Sequence, residues 1–419
     1  MKKLSIRKFY SKLTKKSRSI EGKTSFKKFD IALLILAILV FVLVFSSRFL
    51  FTVSQEKKPT EIFVSPLFWE LYGEDTADNL IEEFKEKNPG FEIKKSFKGS
   101  IFLSDEANNL NGFEDVIFFD DIDLIDLIGN SSLTSLDPYI YVDDENQKIY
   151  EWAIPLVSFM DLFVYNIEIL KAANLDRPPK TRREFSAAAR AIARIDPAVL
   201  DLEVIYPLAL GLNKDDPRAL RRDVFPWIWA GNGDVLSEEG TEISRAAREI
   251  FDFFYELKSN ELLAPYPLER TGKTGLEEFA QGKIAMMTIS ARDLSYLRSI
   301  ANELNFGITS IPAAAQGKNR LGITKVFIGI SSSCKKANEA WKFVSFIADR
   351  PQILSRGLSA IPGIYLNSFP DTTYIDGDSL LKKAWEIFEA ADIVEYNPEY
   401  TLEKTINTVF RERLEELFK

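Results

Sequence analysis

The chain has 419 residues, of which 46 % are hydrophobic and 12 % aromatic, and a net charge of −9; this is material for two or three compact lobes with sizeable cores. It has no histidine and a single cysteine, Cys334. That excludes a histidine general base, an intrachain disulfide and any thiolate metal cluster.

The N-terminal segment stands apart. Met1–Lys28 holds about eleven Lys or Arg against the single Glu21, so the remainder of the chain carries about −19. Ile31–Phe45 reads IALLILAILVFVLVF, and a helix from Asp30 to Phe51 spans about 30 Å, one hydrocarbon core. The pattern predicts a basic cytoplasmic tail (1–29), a transmembrane signal anchor (30–52) and a short tether (53–60), which puts the rest outside the cytoplasmic membrane. A cleavable leader is the alternative, but no A-x-A-like site and no lipid-accepting cysteine follow the apolar run. The acidic remainder argues against nucleic acid as a partner.

Beyond the tether, Glu61–Leu67 predicts a strand, and TADNLIEEFKEKNPG a helix with Leu80, Ile81 and Phe84 on one face. FEIKKSF and Asp115–Phe119 predict strands, and DIDLIDLIGN a short helix. This rhythm predicts a mostly parallel sheet with helical crossovers. Tyr150–Asn166 reads as two strand pieces, and Thr181-x-x-Glu184 as a capping box. Helices follow near Arg218–Ala230, Thr241–Leu257 and Leu276–Phe279, then a strand at Lys283–Ile289 and a helix at Ala291–Leu304. NFGITSIPA and GITKVFIGISSS predict two more strands. Helices at Asn338–Arg356, Ser379–Ala390 and Thr401–Lys419 complete the chain.

Most chemical motifs fail on inspection. Gly272-Lys273-Thr274 imitates the end of a phosphate-binding loop, but the position of its first glycine is Pro267, so a surface turn is expected. Ser331-Ser332-Ser333 and Cys334 have no base beside them in the sequence pattern. The aspartates at 115, 120, 121, 123 and 126 lack the spacing and glycine of a calcium loop, so no metal and no other cofactor is expected. Asp120 or Asp121 instead suits a helix N-cap at the carboxyl end of a strand, where open α/β sheets bind ligands. Asp123 and Asp126 read as solvated helix positions. Aromatic residues recur in loops: Trp69 beside Glu70, Trp227 and Trp229 before Asn232, and Tyr396 and Tyr400. Singly, each is explained by core packing. Together with carboxylates they suggest a cleft for a neutral polyol or sugar.

The order of motifs resembles the extracellular solute-binding proteins of ABC importers, of the maltose-binding-like, family 1 type. The matching pieces are LIEEFKEKNPGFEI, EDVIFFD, LTSLDPY, AIPLVSFMDLFVYNIEILKAANLDRPPKTRREF, WIWAGNGDVL, FAQGKIAMMTIS, FGITSIP and NEAWKFVSFIAD. The resemblance covers Glu61 to the C-terminus. It implies an α/β, periplasmic-binding-protein-like fold with two lobes, a hinge and an interlobe cleft. Lobe one would be 61–157 plus 310–364, and lobe two 158–309 plus 365–419. By position it implies ligand contacts from Trp69 and Glu70, from Phe119, Asp120 and Asp121, from Trp227, Trp229 and Asn232, from Ser290 and Arg292, and from Tyr396 and Tyr400. Arg182 stands where the family's PKTW-type motif has tryptophan, read as a surface change. The retained anchor is a second departure.

The resemblance therefore implies a membrane-anchored binding protein, not an enzyme, that captures a sugar or oligosaccharide and delivers it to ABC permease subunits. A sensor or interaction module without transport is the second reading. An anchored polysaccharide-acting enzyme is the third, since paired carboxylates are available but nothing sets an acid opposite a base.

Overall fold

The computed structural model describes residues 39–40, 58–96, 114–140, 151–237, 242–301, 304–314, 320–350, 378–395 and 400–419. The chain divides into Met1–Pro59 and Thr60–Lys419. In the first unit Leu39 and Val40 are helical; the rest of the expected anchor at 30–52 lies outside the described residues. Among the described residues no helix is long and apolar enough to cross a membrane.

The second unit is built on a sheet whose described strands are β1 (Thr60–Val64), β2 (Phe91–Lys95), β3 (Val116–Asp120), β4 (Ala153–Asn166), β5 (Tyr206–Ala209), β6 (Ile284–Ser290), β7 (Phe306–Thr309), β8 (Arg320–Ile330) and β9 (Asp392–Glu395). The order is β2-β1-β3-β8-β4-β6-β5, with β7 also on β4 and β9 also on β8. β1 pairs parallel with β2 and β3, β5 with β6, and β8 with β9. The two long strands pair antiparallel with each other; β8 also pairs antiparallel with β3, and β4 with β6 and β7. The sheet is therefore mixed, not mostly parallel. The parallel expectation holds where helices intervene and fails at β4 and β8, which run through its centre.

The predicted pair of strands at Tyr150–Asn166 is one strand of 14 residues with an irregularity between Pro155 and Val157. A proline cannot donate to the ladder, so the register shifts there instead of the strand ending. Both β5 and β9 escape the sequence pattern because four residues are too few to show alternation.

The main helices are α1 (Leu67–Tyr72), α2 (Glu74–Lys87), α3 (Asp121–Gly129), α4 (Ile167–Ala172), α5 (Arg182–Ile192), α6 (Ala219–Asp223), α7 (Phe225–Ala230), α8 (Arg245–Ser259), α9 (Gly272–Ala280), α10 (Leu294–Ile300), α11 (Ala337–Ala348), α12 (Ser379–Glu389) and α13 (Tyr400–Phe418). The expected helix at 218–230 is two helices, because Pro226 has no N–H and starts a new first turn. The expected helix at 291–304 is a 3₁₀ turn, Ala291–Asp293, followed by α10. The end of the predicted helix at 351–356 lies outside the described residues.

The predicted capping box is half formed. Thr181 accepts from the Glu184 N–H, but Glu184 turns to the Lys180 N–H and the Arg177 guanidinium. The Gly272-Lys273-Thr274 turn is instead the first turn of α9, capped by Thr271. Arg182 is not a mere surface change: its guanidinium donates to the Trp227 carbonyl at 2.6 Å.

β3 shows how one short run serves two cores. Val116 and Phe118 face the large cluster with Phe68, Phe84 and Phe343. Ile117 and Phe119 face a small cluster with Leu124, Leu127, Leu133 and Phe327. A third cluster gathers Phe163, Phe185, Trp227, Trp229, Phe251, Phe254 and Phe410 around α5, α7, α8 and α13.

At β8 a glycine is demanded by packing. A Cβ on Gly322 would lie 2.2 Å from Asp161 Oδ2 and 2.4 Å from the Trp229 ring. Gly322→Ala is expected to destabilise the protein by about 1–3 kcal/mol through overpacking, measured by urea denaturation. A midpoint unchanged from the parent would contradict that contact.

Candidate functional site

A cleft opens where β3, β4, β6 and β8 meet the segment before and within α6. It encloses about 550 Å³, open solvent at its mouth included, and is lined by Asp120, Ile122, Phe159, Asp161, Arg218, Arg221, Arg222, Ser290, Arg292, Asp293, Thr324 and Val326. Each arrives for a local reason. Asp120 ends β3 and caps α3, accepting from the N–H groups of Ile122 and Asp123 at 3.1 and 3.3 Å. Ser290 ends β6 and joins Asp293 in a reciprocal capping box over the 3₁₀ turn that presents Arg292. Phe159 and Asp161 stand two apart on β4 and so share a face.

Guanidinium groups hold the walls together. Arg218 donates to Asp120 at 2.8 Å and to Asp123 at 3.1 Å, joining residues 98 and 95 apart in sequence. Arg221 donates to the Ile323 carbonyl at 2.5 Å, lies 3.8 Å from Asp121, and stacks on the Trp229 ring at 4.6 Å. Arg222 holds Asp223 at 2.9 Å, Asp216 at 2.8 Å and the Gly211 carbonyl at 2.6 Å. Gly272 has no Cβ where the Arg222 guanidinium lies, since one would come within 2.2 Å of it. Arg292 approaches Glu70 at 3.8 Å. Among the described residues no group of three or more His, Cys, Asp and Glu side chains is placed to hold a metal ion.

Burial dominates the protonation of this site. It pushes Asp161 up to about 8 and Asp223 up to about 6, although Arg221 and Arg222 respectively pull the other way. Asp121, Asp123 and Asp293 are also raised by burial. Asp216 is lowered; Arg222 and the N–H groups of Arg218 and Gly272 outweigh its burial. Cys334, outside the cleft, is pushed up to about 12 by burial, which keeps it a thiol at neutral pH.

The structure brings together Asp120, Ser290 and Arg292 in the lining, with Asp121 directly behind, accepting from the Lys325 N–H at 3.2 Å. Glu70 reaches the same region through Arg292. Phe119 is fully buried and stacked on Phe327, away from the cleft. Trp69 is packed in the large core and donates to Asp78. Trp227 is fully buried between Phe163 and Phe185, its indole N–H donating to Thr288. Trp229 lies beneath Arg221 as the second layer of the wall. Asn232 takes a left-handed turn at φ 60° after α7 and does not line the cleft. Tyr396 lies outside the described residues; Tyr400 begins α13, and its side chain is not described. Asp126 is exposed as expected, whereas Asp123 is buried because Arg218 reaches it.

The pattern left Arg218, Arg221, Arg222, Asp161 and Asp293 unmarked. The cluster RRD at 221–223 was the available signal, since two adjacent arginines on the buried side of a short helix need acidic partners.

The chain matches the family model for bacterial extracellular solute-binding proteins over residues 72–352. A candidate binding protein of Brucella abortus (strain 2308) is 22 % identical over 201 residues, 47 % of this chain and 46 % of that protein; the chain thus spans about half the length of the curated relatives it matches. Among solved structures, the GacH receptor of Streptomyces glaucescens, described unliganded and with acarbose, is similar at TM-score 0.65 and 16 % identity over 86 % of this chain and 94 % of that one. Maltose-bound T. maritima MalE3 gives 0.63 and 15 % over 86 % and 98 %. UgpB of Mycobacterium tuberculosis, in complex with glycerophosphocholine, gives 0.62 and 16 % over 86 % and 99 %. The mixed α/β architecture is accordingly of the periplasmic-binding-protein type. With a family model spanning residues 72–352 and a cleft assembled from distant segments of that same span, this chain belongs to the bacterial extracellular solute-binding proteins.

Proposed function

We propose that the protein is a membrane-anchored extracytoplasmic receptor that captures a carbohydrate-like solute and delivers it to an ABC permease. The observation that carries the reading is the cleft itself: residues between 120 and 326 converge on one cavity that mixes polar side chains with the ring of Phe159. Such a lining suits a small polyol, whose C–H groups meet apolar side chains and whose hydroxyls meet carboxyl, hydroxyl and guanidinium groups. Acarbose and maltose in the similar structures support a saccharide ligand. The cleft would separate lobe one (61–157 plus 310–364) from lobe two (158–309 plus 365–419) and close on its solute by hinge motion. Helix 30–52 would tether the receptor and raise its effective concentration at the permease.

The reading is binding without turnover. Hydrolysis needs an acid and a base facing one bond. Asp120 is bound by Arg218 and caps α3, and Asp293 accepts from the Ser290 N–H, so both already serve to hold the walls of the cleft. Titration calorimetry of the full chain in detergent micelles, against neutral and amino mono- and oligosaccharides, is expected to give saturable heat with at least one. Heat from none of them, with no thermal shift, removes the saccharide reading. Protease protection of the part beyond residue 60 from the cytoplasmic side tests the topology.

A further inference from the structure

We infer that the solute taken by this cleft carries a basic nitrogen, received by the carboxyl group of Asp161; the inference rests on the solute-binding reading above.

Asp161 sits mid-strand on β4, opposite Ser290 of β6, and lines the cleft while only 3 % exposed. Its Oδ2 is buried and has no hydrogen-bond partner. Among the described residues it makes no ion pair within 4.0 Å. The other carboxyl groups of the lining are engaged, Asp120 by Arg218 and Asp293 by the Ser290 N–H; Asp121 and Asp223 also keep one buried oxygen each without a hydrogen-bond partner, but neither lines the cleft. A buried carboxyl with an unused acceptor in a cavity is costly unless something that enters the cavity uses it.

The sign of that visitor turns on which charged groups are already held. Of the four arginines in the lining, Arg218 and Arg222 each already meet two carboxylates, Arg221 donates to the Ile323 carbonyl, and Arg292 approaches Glu70 at 3.8 Å. An anionic solute would have to displace these contacts to reach the guanidinium groups. A cation meets the unpartnered Asp161 Oδ2 without displacing a hydrogen bond, and that pairing has to outweigh the neighbouring Arg221 charge. Gly322 contributes by absence, because a Cβ there would lie 2.2 Å from Asp161 Oδ2.

Protonation gives the inference its signature. Burial lifts Asp161 to about 8, helped by the charges of Asp121, Asp293 and Asp223 and opposed by Arg221. At pH 7 the free receptor therefore holds a proton there. An arriving ammonium favours the carboxylate, so the Asp161 O–H bond breaks and the proton passes to the buffer as the ion pair forms.

The test is calorimetry at pH 7 on the full chain in detergent micelles, with matched pairs: glucose and glucosamine, galactose and galactosamine, cellotriose and the free-amine glucosamine trimer. The amine of one pair is expected to bind at least about tenfold tighter than its neutral partner. Its apparent enthalpy should differ between phosphate and Tris buffers, reporting proton release. Asp161→Asn is expected to bring that pair within about threefold and to erase the buffer dependence. A neutral sugar binding as tightly as its amine in wild type overturns the inference and leaves the saccharide reading standing. Absence of binding across all pairs and the wider panel removes the saccharide reading, and this inference with it.

Discussion

Replacing Arg218 with alanine is expected to destabilise the protein by about 3–5 kcal/mol, because it strands two buried carboxylates at once. Asp120 is fully buried and Asp123 nearly so, and the guanidinium lies 2.7–3.1 Å from both. Asp120 would retain its cap to the Ile122 N–H, but Asp123 would lose the guanidinium that donates to it. The measurement is the urea midpoint of the parent, of Arg218→Ala and of the triple change Arg218→Ala, Asp120→Asn, Asp123→Asn. Removing all three charges should recover much of the loss, since the cost comes from the unmatched carboxylates. If the triple change is as unstable as the single one, packing of the arginine stem and not charge holds the wall. The same substitution is expected to weaken solute capture, because β3 and α6 would no longer be fixed across the cleft.

Stability is expected to fall as pH rises from 6 to 8.5, opposite to the acid sensitivity of a surface rich in salt bridges. The sign follows from Asp161. Its carboxyl is raised from the ordinary 3.8 to about 8 in the fold, so between those values the folded state binds a proton that the unfolded chain has released. The stabilisation is full below pH 4 and is lost as pH climbs through 8. One proton corresponds to about 1.4 kcal/mol per pH unit inside that window, or about 3 kcal/mol between pH 6 and 8. Asp223, raised to about 6, adds its share at the acidic end, and the raised Asp121 and Asp123 act in the same direction. Thermal melts across this range check the slope. Asp161→Asn should melt higher than the parent at pH 8.5 and show a flatter profile; an unchanged profile would show that Asp161 does not hold the proton.

Local chemistry carried much of the reading from sequence. Thr181 as a cap, Leu80, Ile81 and Phe84 on one helix face, and a strand at Asp115–Phe119 leading to an aspartate cap at 120 or 121 all depend on neighbours a few residues away; the caps at Thr181 and Asp120 and the helix face are seen, and the strand is shifted by one residue to Val116–Asp120. The family was readable for the same reason: its motifs are runs of core and turn residues whose order survives when side chains change. The mixed pairing of β4 and β8 was not readable, because strand direction depends on where a distant segment returns. Nor were the cleft arginines. Nothing within ten residues of Arg218 announces Asp120, and a guanidinium reads as a solvated charge until the fold brings a carboxylate to it.

The stretch EDVIFFDDIDLID separates the two kinds of information. Its alternation and its caps were determined by its own residues: two faces for β3, and Asp120 at the start of α3. Which aspartate meets solvent was decided only in three dimensions. Asp126 is exposed, while Asp123, three residues earlier, is buried under an arginine from 95 residues away. Asp161 makes the same point more sharply. In sequence it is one acid in an apolar strand; in the fold, strands on either side and Trp229 near its carboxyl strip it of water and leave its Oδ2 without a hydrogen-bond partner. Periodicity and capping act over one or two turns and are written in the chain. Desolvation and charge pairing act between segments, so they exist only once the sheet has closed.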